Sequence, residues 1–199
     1  VQVRAGGRGA HIDIPMFGCT LGIAALQTSE YFGTGKSPIK RGSAHPRNAP
    51  YQAFQAQDGY FAIAAGNHKL WLSVLDVVGL PKLAEDARFL TPTDRAQHQD
   101  ALRELLEAVF HRQPVAHWID AFNAAGVPHA RINDYAAALA DPQAAHMGWV
   151  QPLTLPNGQQ THTFASPVRL NGQGFPIRRP PPALGEHTAE IRAEQAAKQ

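Results

Sequence analysis

Two short stretches hold the residue types that could grip an anion or polarise a carbonyl. In "HPRNAP" an imidazole, a guanidinium and an amide, His45, Arg47 and Asn48, stand within four positions, accompanied by Pro46 and Pro50. In "AAGNHKLW" a strand-like run ends in Ala64, Ala65 and Gly66, and a helix-like run starts at Asn67 with His68 beside it. A helix start leaves N–H groups without intrahelical acceptors, and glycine permits close backbone approach. Gly66, Asn67 and His68 therefore suit an oxyanion or a thioester carbonyl. The same asparagine suits plain helix capping, and the residues alone leave both uses open.

Other chemistries find little support. The ten histidines include no HExxH and no pair at i and i+4, so no metal site is expected. "GGRGA", Gly6 onward, lacks the Lys-Ser/Thr of a phosphate loop and precedes a strand-like run, which favours a tight turn. No GxSxG elbow is present. A single cysteine, Cys19, excludes an internal disulfide framework and fits a reducing compartment, so the cytoplasm is the expected location. Lysine and arginine exceed aspartate and glutamate only by 18 to 16, with local basic clusters at 36–47 and at Arg178-Arg179, which argues against a nucleic-acid-binding stripe. No apolar run approaches the roughly 20 residues that span a bilayer, so no membrane partner is expected. The chain starts at Val1 with neither an apolar signal core nor an initiator methionine, which allows it to be a piece of something longer.

The elements that must position these residues follow from periodicity. "AHIDIPMF" alternates Ile12 and Ile14 with polar neighbours and predicts a short strand; 21–31 predicts a helix with Gly22 as its weak point. "YQAFQAQDGYFAIAAG" predicts a hairpin turning at Asp58-Gly59, an Asp-Gly pair that can supply positive φ angles. Asn67 can cap a helix whose stripe is Leu70, Trp71, Val74, Leu75 and Val78, stopped by Gly79 and Pro81. Thr93 is the expected cap of a second helix with Leu102, Leu105, Leu106, Val109 and Phe110 as its stripe; a third runs from near Pro114 to Gly126, and a fourth lies in 134–149. Two strand-like runs surround Asn157-Gly158, and a proline-rich tail, "FPIRRPPPALGEH", is extended because each proline ring fixes φ and removes a donor. Such a tail is expected to lie along another surface, with Glu186 and His187 held there in structural hydrogen bonds. The irregular 41–54 stretch, with its prolines and large side chains, is built to hold a shape rather than to flex.

Taken together, "GRGAHIDIPMF", "YFGTGKSPIKRGSAHPRNAPYQAF", "DGYFAIAAGNHKLWLSVLDVVGLPKLAEDARF", "AAGVPHARINDYAAALADPQAAHMGWV", "SPVRL" and "PPALGEHT" resemble the class III coenzyme A transferases of the CaiB/BaiF type. The family includes formyl-CoA transferase, carnitine CoA-transferase and α-methylacyl-CoA racemase. The resemblance covers nearly the whole chain, with the blocks in family order, and corresponds to roughly the second half of a family member.

The resemblance implies an α/β, interlocked-ring fold: here a small α+β domain over 51–148, a preceding large-domain portion and crossing segment over 1–50, and strands and a proline-rich tail over 149–199 returning to a Rossmann-like large domain. It implies that His45, Arg47, Asn48, Gly66, Asn67 and His68 lie near the coenzyme A cleft. The catalytic residue it implies, an aspartate nucleophile, would lie upstream of Val1, so no residue of this chain is expected to be the nucleophile. The implied reaction moves coenzyme A between carboxylic acids, with an acyl-CoA thioester as substrate, a carboxylic acid as acceptor, no permanently bound cofactor, and a homodimer completed by the N-terminal half. A racemase-like or other acyl-CoA-modifying reaction is the alternative, although the glutamate a racemase would use falls at Asn67, and an amide cannot take a proton as a carboxylate does. A non-catalytic assembly fragment is the third reading.

Overall fold

The computed structural model describes residues 6–7 and 9–197. The chain divides into two compact units, one up to Ala130 and one from Arg131 onward.

In the first unit the helix α1 (Met16–Ile23) starts behind Pro15, and α2 (Ala25–Thr34) follows a break at Ala24 and ends on Gly35 in the left-handed region, φ 69°. The strand expected from the Ile12/Ile14 alternation does not form. Both isoleucines are more than 70% exposed (75% and 71%), and among the described residues no neighbouring strand supplies the ladder that alternation needs. The expected 21–31 helix is thus the second part of a longer helical stretch, broken at Ala24 rather than at Gly22. Of the expected glycine turn, Gly6 takes φ 82°, while Arg8 lies outside the described residues.

The core is built on a three-stranded sheet in the order β1 (Tyr51–Gln55), β2 (Tyr60–Ala64), β3 (His129–Arg131). The β1–β2 hairpin is antiparallel with Phe54 opposite Phe61 and Gln52 opposite Ile63, so period-two alternation sends Phe54, Phe61 and Ile63 into the core. Its turn uses no positive φ at Asp58 or Gly59. Instead the Asp58 carboxylate accepts from the Val115 N–H at 2.7 Å, which makes the turn the anchor for the start of a distant helix.

Four helices cover this sheet. The first, α3 (His68–Val78), buries Trp71, Val74, Leu75 and Val78 at helical spacing and ends on Gly79, φ 69°. The expected cap at Thr93 is instead Thr91: its hydroxyl accepts from the Asp94 N–H, the Asp94 carboxylate returns the bond to the Thr91 N–H, and Pro92 opens α4 (Pro92–Gln97). That is a capping box, which outcompetes a cap two residues later because it satisfies two donors at once. The chain kinks at His98 before α5 (Gln99–Phe110), and α6 (Val115–Ala124) follows Pro114. Phe110 is the hub, its ring centroid 5.3 Å from Phe54, 5.0 Å from Phe61 and 5.0 Å from Trp118, all in edge-to-face geometry. Each of these side chains contributes about 1.5–3 kcal/mol by burial. The Trp118 indole N–H donates to the Phe110 carbonyl at 2.9 Å, so the cluster buries no orphan there.

β1 is an edge strand, and two of its outward donors are occupied. The Ala53 N–H donates to Ser43 Oγ at 3.1 Å and the Gln55 N–H to Glu107 Oε1 at 3.0 Å.

In the second unit the single helix expected over 134–149 is two short ones, α7 (Tyr135–Leu139) and α8 (Pro142–Met147), because Asp141 caps a new start ahead of Pro142. The hairpin of β4 (Val150–Thr154) and β5 (Gln160–Phe164) forms as expected, with Gly158 at φ 83°. A two-residue ladder of β6 (Arg169–Leu170) and β7 (Gln173–Gly174) precedes the exposed proline run, and α9 (Thr188–Ala196) ends the described chain. Glu186 makes one local bond, accepting from the Ala183 N–H at 2.7 Å, and His187 Nδ1 lies 3.9 Å from Glu190 Oε2. Among the described residues no helix is long and apolar enough to cross a membrane.

Candidate active site

The backbone of 45–50 runs into β1 and is pinned at both ends. The His45 N–H donates to the Tyr51 carbonyl at 2.9 Å, and the Ala65 N–H donates to the Pro50 carbonyl at 2.9 Å, which ties the segment to the residue just before Gly66. The His45 ring stacks on Tyr51 with centroids 5.0 Å apart and planes 15° from parallel. Its Nδ1 accepts from the Arg47 N–H at 3.2 Å, so the ring proton sits on Nε2. The Arg47 side chain is exposed, with no salt bridge among the described residues.

This pinning brings the two stretches together. A Cβ placed on Gly66 would meet Asn48 Cβ and Cγ at 3.3 Å each and Asn48 Oδ1 at 3.6 Å. Gly66 is therefore needed for close approach and not for a left-handed φ. Next to it, Asn67 caps α3 with Oδ1 accepting from the Leu70 N–H at 2.9 Å. The capping bond commits the amide oxygen and leaves the exposed Nδ2 as a free donor. Helix geometry also leaves the N–H groups of His68 and Lys69 without intrahelical acceptors. Asn48, Gly66, Asn67 and His68 thus form one donor-rich corner, while His45, at the start of the pinned segment, stacks on Tyr51. The arrangement can receive a carbonyl oxygen or a small anion.

Two residues that the sequence reading did not single out support this corner. Gln99, buried at the start of α5, donates from Nε2 to the His45 carbonyl at 2.6 Å and to the Asn48 carbonyl at 3.3 Å. Arg95 is fully buried, donating from Nε to the Ala49 carbonyl at 2.9 Å and from Nη1 to the Phe89 carbonyl at 3.0 Å, with its guanidinium 5.3 Å from the Trp71 ring centroid. Among the described residues no carboxylate pairs with it, and burial pulls its pKa down against the opposing charge of Asp94. The available signal was polar residues at buried-stripe positions: Gln99 shares the inward face of α5 with Leu102, Leu106 and Phe110. A separate cavity of about 510 Å³ opens along the outer edge of β1, lined by Lys40, Arg41, Ser43, Arg103 and Glu107 among others, and none of the six candidate residues borders it. Among the described residues no group of three His, Cys, Asp or Glu is placed to hold a metal ion.

Residues 1–188 match the family model for CoA-transferase family III. The chain belongs to CoA-transferase family III. It is 40% identical over 192 residues to the acetyl-CoA:oxalate CoA-transferase of Acetobacter aceti, a match covering 96% of this chain and 48% of that protein. It is 29% identical over 194 residues to the human succinyl-CoA:glutarate CoA-transferase, covering 98% of this chain and 44% of that one. The crystal structure of a CaiB/BaiF family protein from Brucella suis superposes with a TM-score of 0.77 at 36% identity, over 97% of this chain and 50% of that chain. The chain spans about half the length of the family III relatives it matches.

Proposed function

We propose that this chain is the C-terminal part of an acyl-CoA:carboxylate CoA-transferase, and that the corner of Asn48, Gly66 and Asn67 contacts the thioester carbonyl during transfer. The observation that carries this reading is the close approach of Asn48 to Gly66 beside the start of α3, whose cap commits the Asn67 oxygen and not its amide nitrogen. In the transfer, a carboxylate nucleophile supplied by the N-terminal half attacks the acyl carbon. The C–S bond breaks, coenzyme A leaves as its thiolate, and an acyl-enzyme anhydride remains. The thiolate then attacks the enzyme carbonyl of that anhydride, releasing the first carboxylic acid and leaving an enzyme-CoA thioester. The incoming carboxylate repeats the two steps in reverse order. Thioester energy is retained without ATP.

Each attack places negative charge on a carbonyl oxygen, and fixed donors at that oxygen lower the barrier most. Asn67 Nδ2 and the first-turn N–H groups of α3 are such donors. A racemase-like role is disfavoured because an amide capping a helix offers no base for the α-proton. Relatives named for oxalate and glutarate support a dicarboxylic acceptor. The large exposed apolar side chains Ile12, Met16, Phe17, Ile23 and Phe32 support a covering partner, which we assign to the N-terminal half and a second copy. On this reading coenzyme A is substrate and no resident cofactor is needed, and the working location is the cytoplasm.

The test is to incubate the protein carrying its N-terminal half with acetyl-CoA or succinyl-CoA plus oxalate or glutarate, and to follow the new CoA ester by mass. Exchange trapped as an enzyme-CoA adduct on an upstream aspartate is expected. An adduct on any carboxylate of this chain would refute the placement of the nucleophile, and no exchange with any pair would refute the transferase reading.

A further inference from the structure

Arg95 and Gln99 are an unusual pair for a helical core. Both are buried, neither meets a carboxylate among the described residues, and each donates to main-chain carbonyl oxygen about fifty residues earlier, while Arg95 Nη2 finds no acceptor. A buried guanidinium without an ion pair is costly to keep. Salt-bridge stability does not account for it. Its planar fork instead bridges two backbone points, Ala49 O and Phe89 O, which a lysine could not do with one geometry. Gln99 bridges two more, His45 O and Asn48 O. Three of these four carbonyls belong to 45–49, the segment that presents Asn48 to Gly66.

We infer that Gln99 and Arg95 are positioning residues, clamping the main chain of 45–49 so that Asn48 is held against Gly66 at the carbonyl-binding corner. The inference rests on the proposed role of that corner. It adds that α4 and α5, which supply none of the corner's own residues, set its geometry through backbone carbonyls. A Cβ on Gly66 would press on Asn48, which would have to give by a few tenths of an ångström to admit it. On this inference a released segment no longer holds Asn48 in that contact, and misplacement on the scale of an ångström can slow a reaction about 100-fold.

The experiment uses the protein with its N-terminal half and two independent variants: Gln99→Met, which keeps volume and loses the donors, and Arg95→Lys, which keeps charge and loses the fork. Backbone hydrogen exchange is read at His45, Ala53 and Ala65, whose N–H groups are bonded in or beside the segment. Turnover and KM for the acyl-CoA are measured alongside. The expected result is exchange faster by about tenfold or more at those three amides, with α3 and α6 unchanged within about twofold. Turnover should fall by about tenfold or more with KM nearly constant, as for a contact made mainly in the transition state. Unchanged exchange at the three amides overturns the clamp, as does a uniform rise across α3, α5 and α6. Faster local exchange with full turnover overturns the link to the reaction. If the unaltered protein shows no CoA transfer, the transferase reading fails by itself and the exchange data still decide the clamp. Should Arg95→Lys not fold, Gln99→Met decides.

Discussion

Replacing Asn67 separates its two jobs, because aspartate keeps one and loses the other. The Oδ1 cap on the Leu70 N–H is 2.9 Å long. Asn67→Ala removes it and should cost about 1 kcal/mol, within the usual 0.5–2 range for a lost cap. For a unit of this size that lowers Tm by roughly 2–8 °C. Asn67→Asp keeps an acceptor in the same place and adds a negative charge at the positive end of α3, so its Tm should match or slightly exceed the parent's. Turnover should part from stability. Aspartate has no Nδ2 donor and brings like charge toward the developing oxyanion, so kcat should fall by about 100–1000-fold, the usual loss for one preorganised donor. Circular dichroism melts and mass-detected CoA exchange on the protein with its N-terminal half supply the two readings. An Asn67→Asp protein with parental turnover would refute the donor role and leave Asn67 as a helix cap only. An Asn67→Ala protein with parental Tm would refute the cap.

Two further outcomes are expected. Gly66→Ala should cost about 1–3 kcal/mol by pressing its Cβ on Asn48, and urea titration should show that cost vanish in the Asn48→Gly background; an equal cost in both backgrounds would mean that the contact is not the cause. Acid should destabilise the fold from about pH 4 downward: hydrogen bonds from the Arg88 side chain, then its backbone N–H, hold Asp86 down at about 2, and bonds from the Thr91 hydroxyl and N–H lower Asp94. A depressed folded pKa gives stability that is complete above the unfolded value near 4 and is lost as pH falls through the folded one. Asp86→Asn should therefore flatten part of the fall in urea midpoint between about pH 4 and 2, and an unchanged slope would refute this assignment.

Local chemistry was the legible part of the fold. Asn67 as cap, Gly79 as stop, the α3 stripe and the glycine of the β4–β5 turn were all readable, since each depends on a few adjacent residues. Where a tertiary partner decides, the sequence misled. Ile12 and Ile14 alternate like a strand but have no strand beside them among the described residues, and the hairpin turns at Asp58-Gly59 as expected but without a positive φ, its Asp58 accepting from the N–H of Val115, 57 residues on. The capping box at Thr91 was missed because a second threonine two residues later offered the same signal with less of the pattern. At the site, Asn48 and Gly66 were each visible as candidates, but their contact was not, because it is set by Arg95 and Gln99 through main-chain carbonyls that carry no sequence signature.

The two side chains on the outer edge of β1 come from opposite directions along the chain, and that gives the edge a history during synthesis. Ser43 precedes its partner Ala53 by ten residues and is available as soon as the strand is made. Glu107 follows Gln55 by 52 residues. At ribosomal speeds of about 5–20 residues per second, the Gln55 N–H waits about 3–10 s for its carboxylate. For that interval the newborn hairpin offers a half-open edge to any neighbouring strand, including the same hairpin on the next ribosome. Arrival of α5 closes it, so the helix that steadies the candidate site also ends the period in which nascent chains can pair wrongly.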